Sequence, residues 1–489
     1  RERPKSGVEY PPAHRMISAA NLALDPAQRL QLWQRLATEI ERYQRQVAGA
    51  PVAPALDPAA LAASLKGFDF TTPMPPLEAL AAALEGMWHH QVHTPHPRYF
   101  GLFNPAPTTM GIAADALVAA FNPQIAAWSH NPFAASVEQH LVQVLGAKFG
   151  YAADACDGVF TSGGAEANHT ALLCALTHAC PEYARSGARA LPRAAVIYTS
   201  ALAHDSVRKA ARLCGLGTDC VRGLEVDAGL RLVPAAVEAA IRADRAAGLA
   251  PLLLVATAGA TSTGVVDPIP ALAEVAARER LWFHVDAAWG GLAALVSELR
   301  PLLAAIERAD SITFDAHKSL SVPMAAGMLL TRHREVLART FSVSADYMPR
   351  DGAAVPEAMP DPFAHSMQWS RRFIGLKLFL SLAVAGWTGY EATLRHQVAM
   401  GELLRQAAPA EGWQVVNQTP LPLVCLADAA TDIEATVRAV VASGEAWISS
   451  VRLPGGTAAV RACITNYGTQ AADVEALLAS LRRHRRPAA

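Results

Sequence analysis

The sequence shows almost no charge bias: 42 Lys and Arg stand against 43 Asp and Glu, for a formal net charge of -1. Without a basic field, neither nucleic acid nor an anionic membrane surface is expected as a partner, and a small-molecule substrate is. Cysteine is sparse and unpatterned. The seven (Cys156, Cys174, Cys180, Cys214, Cys220, Cys425 and Cys463) form no Cys-x-x-Cys pair, which excludes a disulfide framework or zinc knuckle and predicts reduced, mostly buried thiols. No apolar run approaches the roughly 18 residues of a spanning helix, so Leu378 to Trp387 reads as part of a buried one. The first residues, Arg1-Glu2-Arg3-Pro4-Lys5, lack the apolar core of a secretory signal, so a soluble, cytoplasmic protein is expected. His89, His90, His93 and His96 have ligand-like spacing. Their His-x-Pro setting and the lack of accompanying carboxylates read as a loop, and no metal is expected.

What is present is length and alternation. A chain of 489 residues accommodates one large α/β domain with appendages. Helical spacing runs from Asp25 to about Val47, and Asp57-Pro58 opens a second, alanine-rich helix. A third lies between the prolines at 73, 75 and 76 and those at 95 and 97, closing a helical arm near Thr94. Between about Phe100 and Arg332, apolar strands at 195–199, 252–256, 281–285 and 312–314 alternate with helices such as 206–214 and 234–247. That alternation predicts a mostly parallel sheet with its ligand crevice at the carboxyl ends of the strands, where His204, Thr257, Asp286 and Lys318 converge. Beyond Arg332 come a polar loop, a helix over 372–385 and a strand-and-helix module over about 411–486.

Two residues at strand ends carry the chemistry. The run Ser311 to Lys318 ends in a lysine flanked by His317 and Ser319, and the run Leu281 to Gly291 delivers a lone carboxylate, Asp286. A lysine to carry an aldehyde and an acid to keep a pyridine nitrogen protonated are the two needs of pyridoxal phosphate (PLP). Taken singly, Lys318 reads as a solvated strand-end lysine and Asp286 as a helix cap. In Phe160-Thr-Ser-Gly163-Gly164-Ala165-Glu-Ala-Asn168, two glycines at a strand-to-helix passage allow backbone amides to approach a phosphate, although a plain helix-entry turn uses the same residues. His204 precedes a helix that Asp205 or Ser206 caps, and stacks on a cofactor ring or merely packs. Thr257 and Thr261 offer hydroxyls to a ring oxygen or carboxylate, or belong to a simple turn. His317 and Ser319 are candidates for holding phosphate or substrate, whereas Trp282 and Trp289 read as core.

These motifs, in order, resemble the group II PLP-dependent amino acid decarboxylases, which include aromatic amino acid, glutamate and diaminobutyrate decarboxylases. The likeness rests on His96-Pro-Arg-Tyr-Phe-Gly101, Thr161 to Asn168, Ala203-His-Asp-Ser-Val207, His284 to Gly291, Asp315-Ala-His-Lys318 and Arg371-Arg372-Phe373. It implies the aspartate-aminotransferase-like fold (fold type I, α/β), with a helical arm over 1–95 swapped in a homodimer, a large PLP-binding domain over 96–375 and a small C-terminal domain over 376–489. It further implies that Lys318 carries PLP, Asp286 pairs with the ring nitrogen, His204 stacks on the ring, Gly164 and Ala165 supply phosphate amides, and His317 borders phosphate and reacting centre. Tyr347, in Phe341 to Met348, matches a loop tyrosine that protonates the substrate carbon across the dimer interface. Relatives with phenylalanine there tend to oxidative deamination, so Tyr347 favours plain decarboxylation of an L-amino acid to amine and CO2. The stretch Tyr99 to Phe103 favours an aromatic substrate, while the Gly-Gly-Ala and Asp-Ala-Ala-Trp wording is closer to glutamate and diaminobutyrate enzymes. Transamination and a catalytically silent binding protein are the other readings. One departure stands out: Asp315 occupies a position where many members have an asparagine reaching the phosphate. An acid there repels phosphate unless it faces away or accepts a backbone hydrogen bond.

Overall fold

The computed structural model describes residues 20–71, 73–103, 105–152, 154–343 and 361–488, so Tyr347 lies outside the described residues. The chain divides into two units, one within residues 1–50 and 54–92, the other within 51–53 and 93–489.

Asp-Pro steps start two helices of the first unit. Asp25 accepts from the amides of Ala27 and Gln28 at 2.8 and 2.9 Å to open the helix Pro26–Gln46, and Asp57 accepts from Ala59 and Ala60 to open Pro58–Lys66. Each aspartate satisfies amides that the helix cannot, and each proline sits where no amide donor is needed. A third helix, Pro76–His89, meets the first through an edge-on Tyr43–Trp88 contact with centroids 5.0 Å apart. Glu39 is buried in the first helix between Arg35 and Arg42, at 2.7 and 2.6 Å.

The second unit is built on a seven-stranded sheet of β1 (Asp157–Thr161), β2 (Ala195–Ser200), β3 (Val221–Leu224), β4 (Ala250–Thr257), β5 (Trp282–Asp286), β6 (Ser311–Asp315) and β7 (Gly327–Thr331). Their order is β1-β7-β6-β5-β4-β2-β3, all parallel from β6 to β3, with β7 antiparallel to both its neighbours. Most of these strands are buried throughout, which is why they read as unbroken apolar runs rather than alternating ones. Alternate residues feed two cores: Ile197, Leu253 and Trp282 pack on one face with Leu172 and Leu176, while Tyr198, Leu254 and Phe283 pack on the other with Leu272 and Ile241. A second, antiparallel sheet follows, from β8 (Gln414–Val415), β9 (Leu423–Ala427), β10 (Ser449–Arg452) and β11 (Ala458–Cys463), in the order β10-β11-β9-β8.

The helix expected over 372–385 starts at Gly375 and ends before the non-helical Gly386 (φ 61°, ψ 176°), and a second helix, not expected, follows over 387–407 within the stretch Gly375–Ala407. The start at Gly375 is fixed from afar. Buried Glu138 accepts from the amides of Ile374 and Gly375, both at 3.0 Å, while its other oxygen lies 2.6 Å from the buried guanidinium of Arg371. Before the interruption, Ser381 hydrogen-bonds Thr108 and Lys377 pairs with Asp115; beyond it, Gln397 donates to Thr465 O and Arg405 to Leu421 O and Leu423 O. The lysine end of β6 also differs from expectation. The strand stops at Asp315, and Lys318 lies in the helical turn Ala316–Ser319 that follows. Among the described residues, no helix is long and apolar enough to cross a membrane.

Candidate active site

The carboxyl ends of β4, β5 and β6 open onto a cleft lined by Thr257, Asp286 and Lys318 among others. Its floor is a hydrogen-bonded chain running through the sheet. Period-two alternation puts His284 and Asp286 on one face of β5, and the register pairs them with Ser311 and Thr313 of β6. Asn168, one turn beyond Gly164 in the helix Gly164–Ala179, faces this row. Its amide nitrogen donates to Asp286 Oδ2 and to Ser206 Oγ, both at 2.8 Å. Its oxygen accepts from Thr313 Oγ1 at 2.7 Å and contacts His284 Nε2 at 3.0 Å. His284 Nδ1 in turn lies 2.8 Å from Ser311 Oγ, which accepts from Trp282 Nε1 at 2.9 Å.

The proton order of this chain follows from its carboxylate end. Asp286 Oδ2 accepts, so the Asn168 amide nitrogen faces it and Asn168 Oδ1 takes the Nε2–H of His284. Burial, opposed by the charge of Asp286, holds the His284 pKa down at about 4, so the ring is neutral and its Nδ1 accepts from the Ser311 hydroxyl, whose oxygen takes the indole proton. The second Asp286 oxygen accepts from Ala288 N at 3.2 Å, so the carboxylate is held at both atoms. Asn168 and His284 belong to motifs legible in the sequence, and the fold gives them a role that the sequence analysis does not. Their spacing, four residues from Gly164 and two from Asp286, was the available signal.

Lys318 Nζ lies 2.9 Å from Asp315 Oδ2 and 5.4 Å from the centroid of Phe103. Asp315 therefore neither faces away nor takes a backbone hydrogen bond; it pairs with the lysine. Phe103 stacks on Trp289 with centroids 4.8 Å apart, so Trp289, expected only as core, is buried and also lines the cleft. Arg461, from β11, has its guanidinium carbon 5.0 Å from the Phe103 centroid and donates to Thr261 O and Gly101 O at 2.7 and 2.8 Å. Its remaining nitrogen, Nη2, is buried with no hydrogen-bond partner among the described residues.

The other candidates divide into those that line the cleft and those beside it. Gly164, Ala165, His204, Thr257, Thr261, Asp286 and Lys318 line it, whereas Gly163 and His317 do not. His204 is exposed, and its Nδ1 accepts from Ser206 N at 3.2 Å, so the ring itself caps the helix Ser206–Leu213; neither Asp205 nor Ser206 does. His317 Nδ1 accepts from Ala326 N at 3.1 Å, which places the proton of the neutral ring on Nε2, and burial lowers its pKa. Ser319 gives its hydroxyl to Trp289 O at 2.9 Å.

Residues 65–427 match the pyridoxal-dependent decarboxylase conserved domain. The chain belongs to that family. An L-2,4-diaminobutyrate decarboxylase of Rhizobium meliloti (strain 1021) is 34% identical over 331 residues, 67% of this chain and 64% of the relative's length. An aromatic-L-amino-acid decarboxylase of Bacillus atrophaeus is 30% identical over 351 residues, 71% of each chain. The crystal structure of mouse CSAD superposes with a TM-score of 0.87 at 27% identity, covering 94% of this chain and 99% of that one.

The cleft fits the family's cofactor on three independent grounds. The amides of Gly164 and Ala165, ahead of those of Glu166 and Ala167 that both donate to Gly163 O, lie outside the helix ladder where an anion can take them. A side chain on Gly164 would intrude there: its Cβ would fall 3.0 Å from Asp315 Oδ2 and 3.2 Å from Ala288 Cβ. The hydroxyl of Thr257 is buried in the lining with no hydrogen-bond partner among the described residues, a polar atom awaiting a ligand. Asp286 is a carboxylate already held in place for a cationic ring nitrogen.

Proposed function

We propose that this decarboxylase-family chain removes the α-carboxylate of an L-amino acid as CO2 and releases the primary amine, using Lys318, Asp286, His204 and Tyr347. The observation that carries the reading is the convergence of Lys318, the Asn168-held Asp286 and the Gly164–Ala165 helix start on one cleft. PLP bound there supplies an electron-accepting ring conjugated to the reacting carbon. Lys318 holds its aldehyde carbon, Gly164 and Ala165 its phosphate, Thr257 a polar ring substituent, and Asp286 its protonated nitrogen. Gly163 and His317, assigned to the same cofactor, adjoin Gly164 and Lys318 in the chain.

Asn168 holds the Asp286 carboxylate in position through its amide donor at 2.8 Å. His204, whose Nδ1 is committed to Ser206 N, has Nε2 left to exchange a proton with substrate. The Phe103–Trp289 wall strips water from the substrate carboxylate, which favours loss of uncharged CO2. Tyr347 returns the proton to the substrate carbon. The same aromatic wall supports an aromatic side chain as substrate. The buried, unpartnered Nη2 of Arg461 beside Phe103 supports a second reading, an acidic substrate.

Mass-spectrometric analysis of products from aromatic, acidic and diamino acids, supplied with PLP, tests the proposal. An amine lighter than its substrate by CO2, absent in Lys318→Ala, is expected. An aldehyde or keto acid overturns plain decarboxylation. We also propose a cytoplasmic homodimer joined through the arm, in which Leu65 and Phe70 are 61% and 89% exposed, with the two sheets marking large and small domains that divide near residue 375. Light scattering of an arm-deleted chain that stays dimeric would sink that part.

A further inference from the structure

Thr257 and Asp286 are register partners at the ends of β4 and β5, so their side chains stand side by side in the cleft lining. What aims the first of them lies outside the cleft. Neighbouring residues of a strand turn their backbone groups to opposite sides, and the amide of Ala258 goes to Asp286 O of β5 at 2.8 Å. The backbone groups of Thr257 therefore face the other side, where β2 has run out: its register with β4 ends at Thr199 and Val255. Asp267 fills the missing place. Its Oδ2 accepts from Thr257 N at 2.8 Å, and its own amide donates to Thr257 O at 2.9 Å. Its Oδ1 accepts from Leu232 N at 2.8 Å. One residue thus clasps both backbone groups of Thr257.

The clasp is held at a cost to the fold. Asp267 is buried with no basic partner among the described residues, and burial raises its pKa to about 6, so at neutral pH it carries a charge that the core disfavours. Asparagine would avoid the charge, but it offers one acceptor oxygen to two amides. An ionised carboxylate offers two and donates nothing. The Thr257 hydroxyl, for its part, has no hydrogen-bond partner of its own among the described residues, so its direction is set by the backbone that carries it.

Resting on the assignment of Thr257 to the cofactor, we propose that Asp267 is the positioning residue that aims the Thr257 hydroxyl at PLP. Holding the strand end at both backbone groups fixes the direction of its Cα–Cβ bond, and with it the place of the hydroxyl. Asp267 itself does not line the cleft, so its effect on the cofactor passes through Thr257.

A double-mutant cycle on PLP binding, read by absorbance titration, tests the proposal. Thr257→Val removes the hydroxyl and leaves the backbone in place. Asp267→Asn raises the PLP dissociation constant several-fold, at most the roughly fivefold that goes with the hydroxyl itself, and adds nothing in the Thr257→Val background. Asp267→Ser, smaller and also with a single acceptor, must behave alike and stands in should the asparagine variant fold poorly. A general loosening of the fold lowers affinity equally in both backgrounds. Equal losses, or no loss while the hydroxyl is present, overturn the role of Asp267. Failure of the underlying assignment looks different: Thr257→Val alone then binds PLP as tightly as wild type, and the proposal falls with it.

Discussion

Replacing Asn168 by alanine removes the centre of the buried chain and puts a number on what it does for Asp286. Two consequences separate. Asp286 Oδ2 loses a donor at 2.8 Å, a hydrogen bond to a charged group worth about 1.5–3 kcal/mol. His284 Nε2 and Thr313 Oγ1 lose their acceptor in the core, at about 1–3 kcal/mol each if unmet. The second cost falls on the fold, so chemical denaturation of Asn168→Ala before PLP is added should show a loss of about 2–6 kcal/mol. The first falls on cofactor binding, because the Asn168 amide fixes the carboxylate assigned to the ring nitrogen. The PLP dissociation constant, read by absorbance titration, should rise roughly 10- to 150-fold. Asn168→Asp should bind more weakly still, since it sets a second carboxylate against the first. An Asn168→Ala chain that binds PLP within about threefold of wild type, or an Asn168→Asp chain that binds better than alanine, refutes the reasoning.

Thr257→Val should leave stability before PLP addition within about 0.5 kcal/mol of wild type, because the hydroxyl has no partner to lose, yet weaken PLP binding roughly fivefold; an equal loss in both measurements contradicts its assignment to the ligand. Two buried groups should tilt stability oppositely in acid. His284, held near 4 by burial, takes a proton first in the unfolded chain, so its contribution is present above the unfolded value near 6.5 and is lost as pH falls towards 4. Asp267, raised to about 6 by burial despite amide donors from Leu232 and Thr257, binds its proton more tightly when folded, so its contribution is present below about 3.8 and lost as pH rises through 6. Each amounts to about 3 kcal/mol, so denaturation against pH should show a gain on acidification in His284→Gln and a steeper loss in Asp267→Asn, and parallel curves would exclude both. Glu138→Gln strands the Arg371 guanidinium in the core and should cost about 3–5 kcal/mol by denaturation; less than about 1 kcal/mol would show that the pair contributes little.

Local chemistry accounts for what the sequence made legible. The Asp-Pro helix starts are decided within three residues, and the doubly buried strands announce themselves as apolar runs, so the arm and the parallel sheet could be read directly. The rest depends on partners distant in sequence. The helix from Gly375 is started by Glu138, more than two hundred residues away, and nothing within 372–385 reveals that a second helix follows over 387–407. Lys318 was placed at a strand end because its preceding run is apolar, but β6 yields to a helical turn after Asp315. Asn168 and His284 gain their meaning only when the Gly164 helix crosses β5 and β6. Asp315 was weighed against an expected phosphate, while its actual neighbour was the lysine three residues on.

Gly386 couples the two sheets mechanically. Its torsions, open essentially to glycine alone, break the long helix between a segment anchored to Thr108 and Asp115 and one anchored to Thr465, Leu421 and Leu423. The angle between those two segments is thereby set by one pair of dihedrals. Alanine there should raise hydrogen exchange along 387–407, and unchanged exchange would show that the other anchors hold the segment by themselves. Because β11 carries Arg461 to the carbonyls of Gly101 and Thr261, the second sheet also supplies the guanidinium that stands beside the Phe103 wall of the cleft.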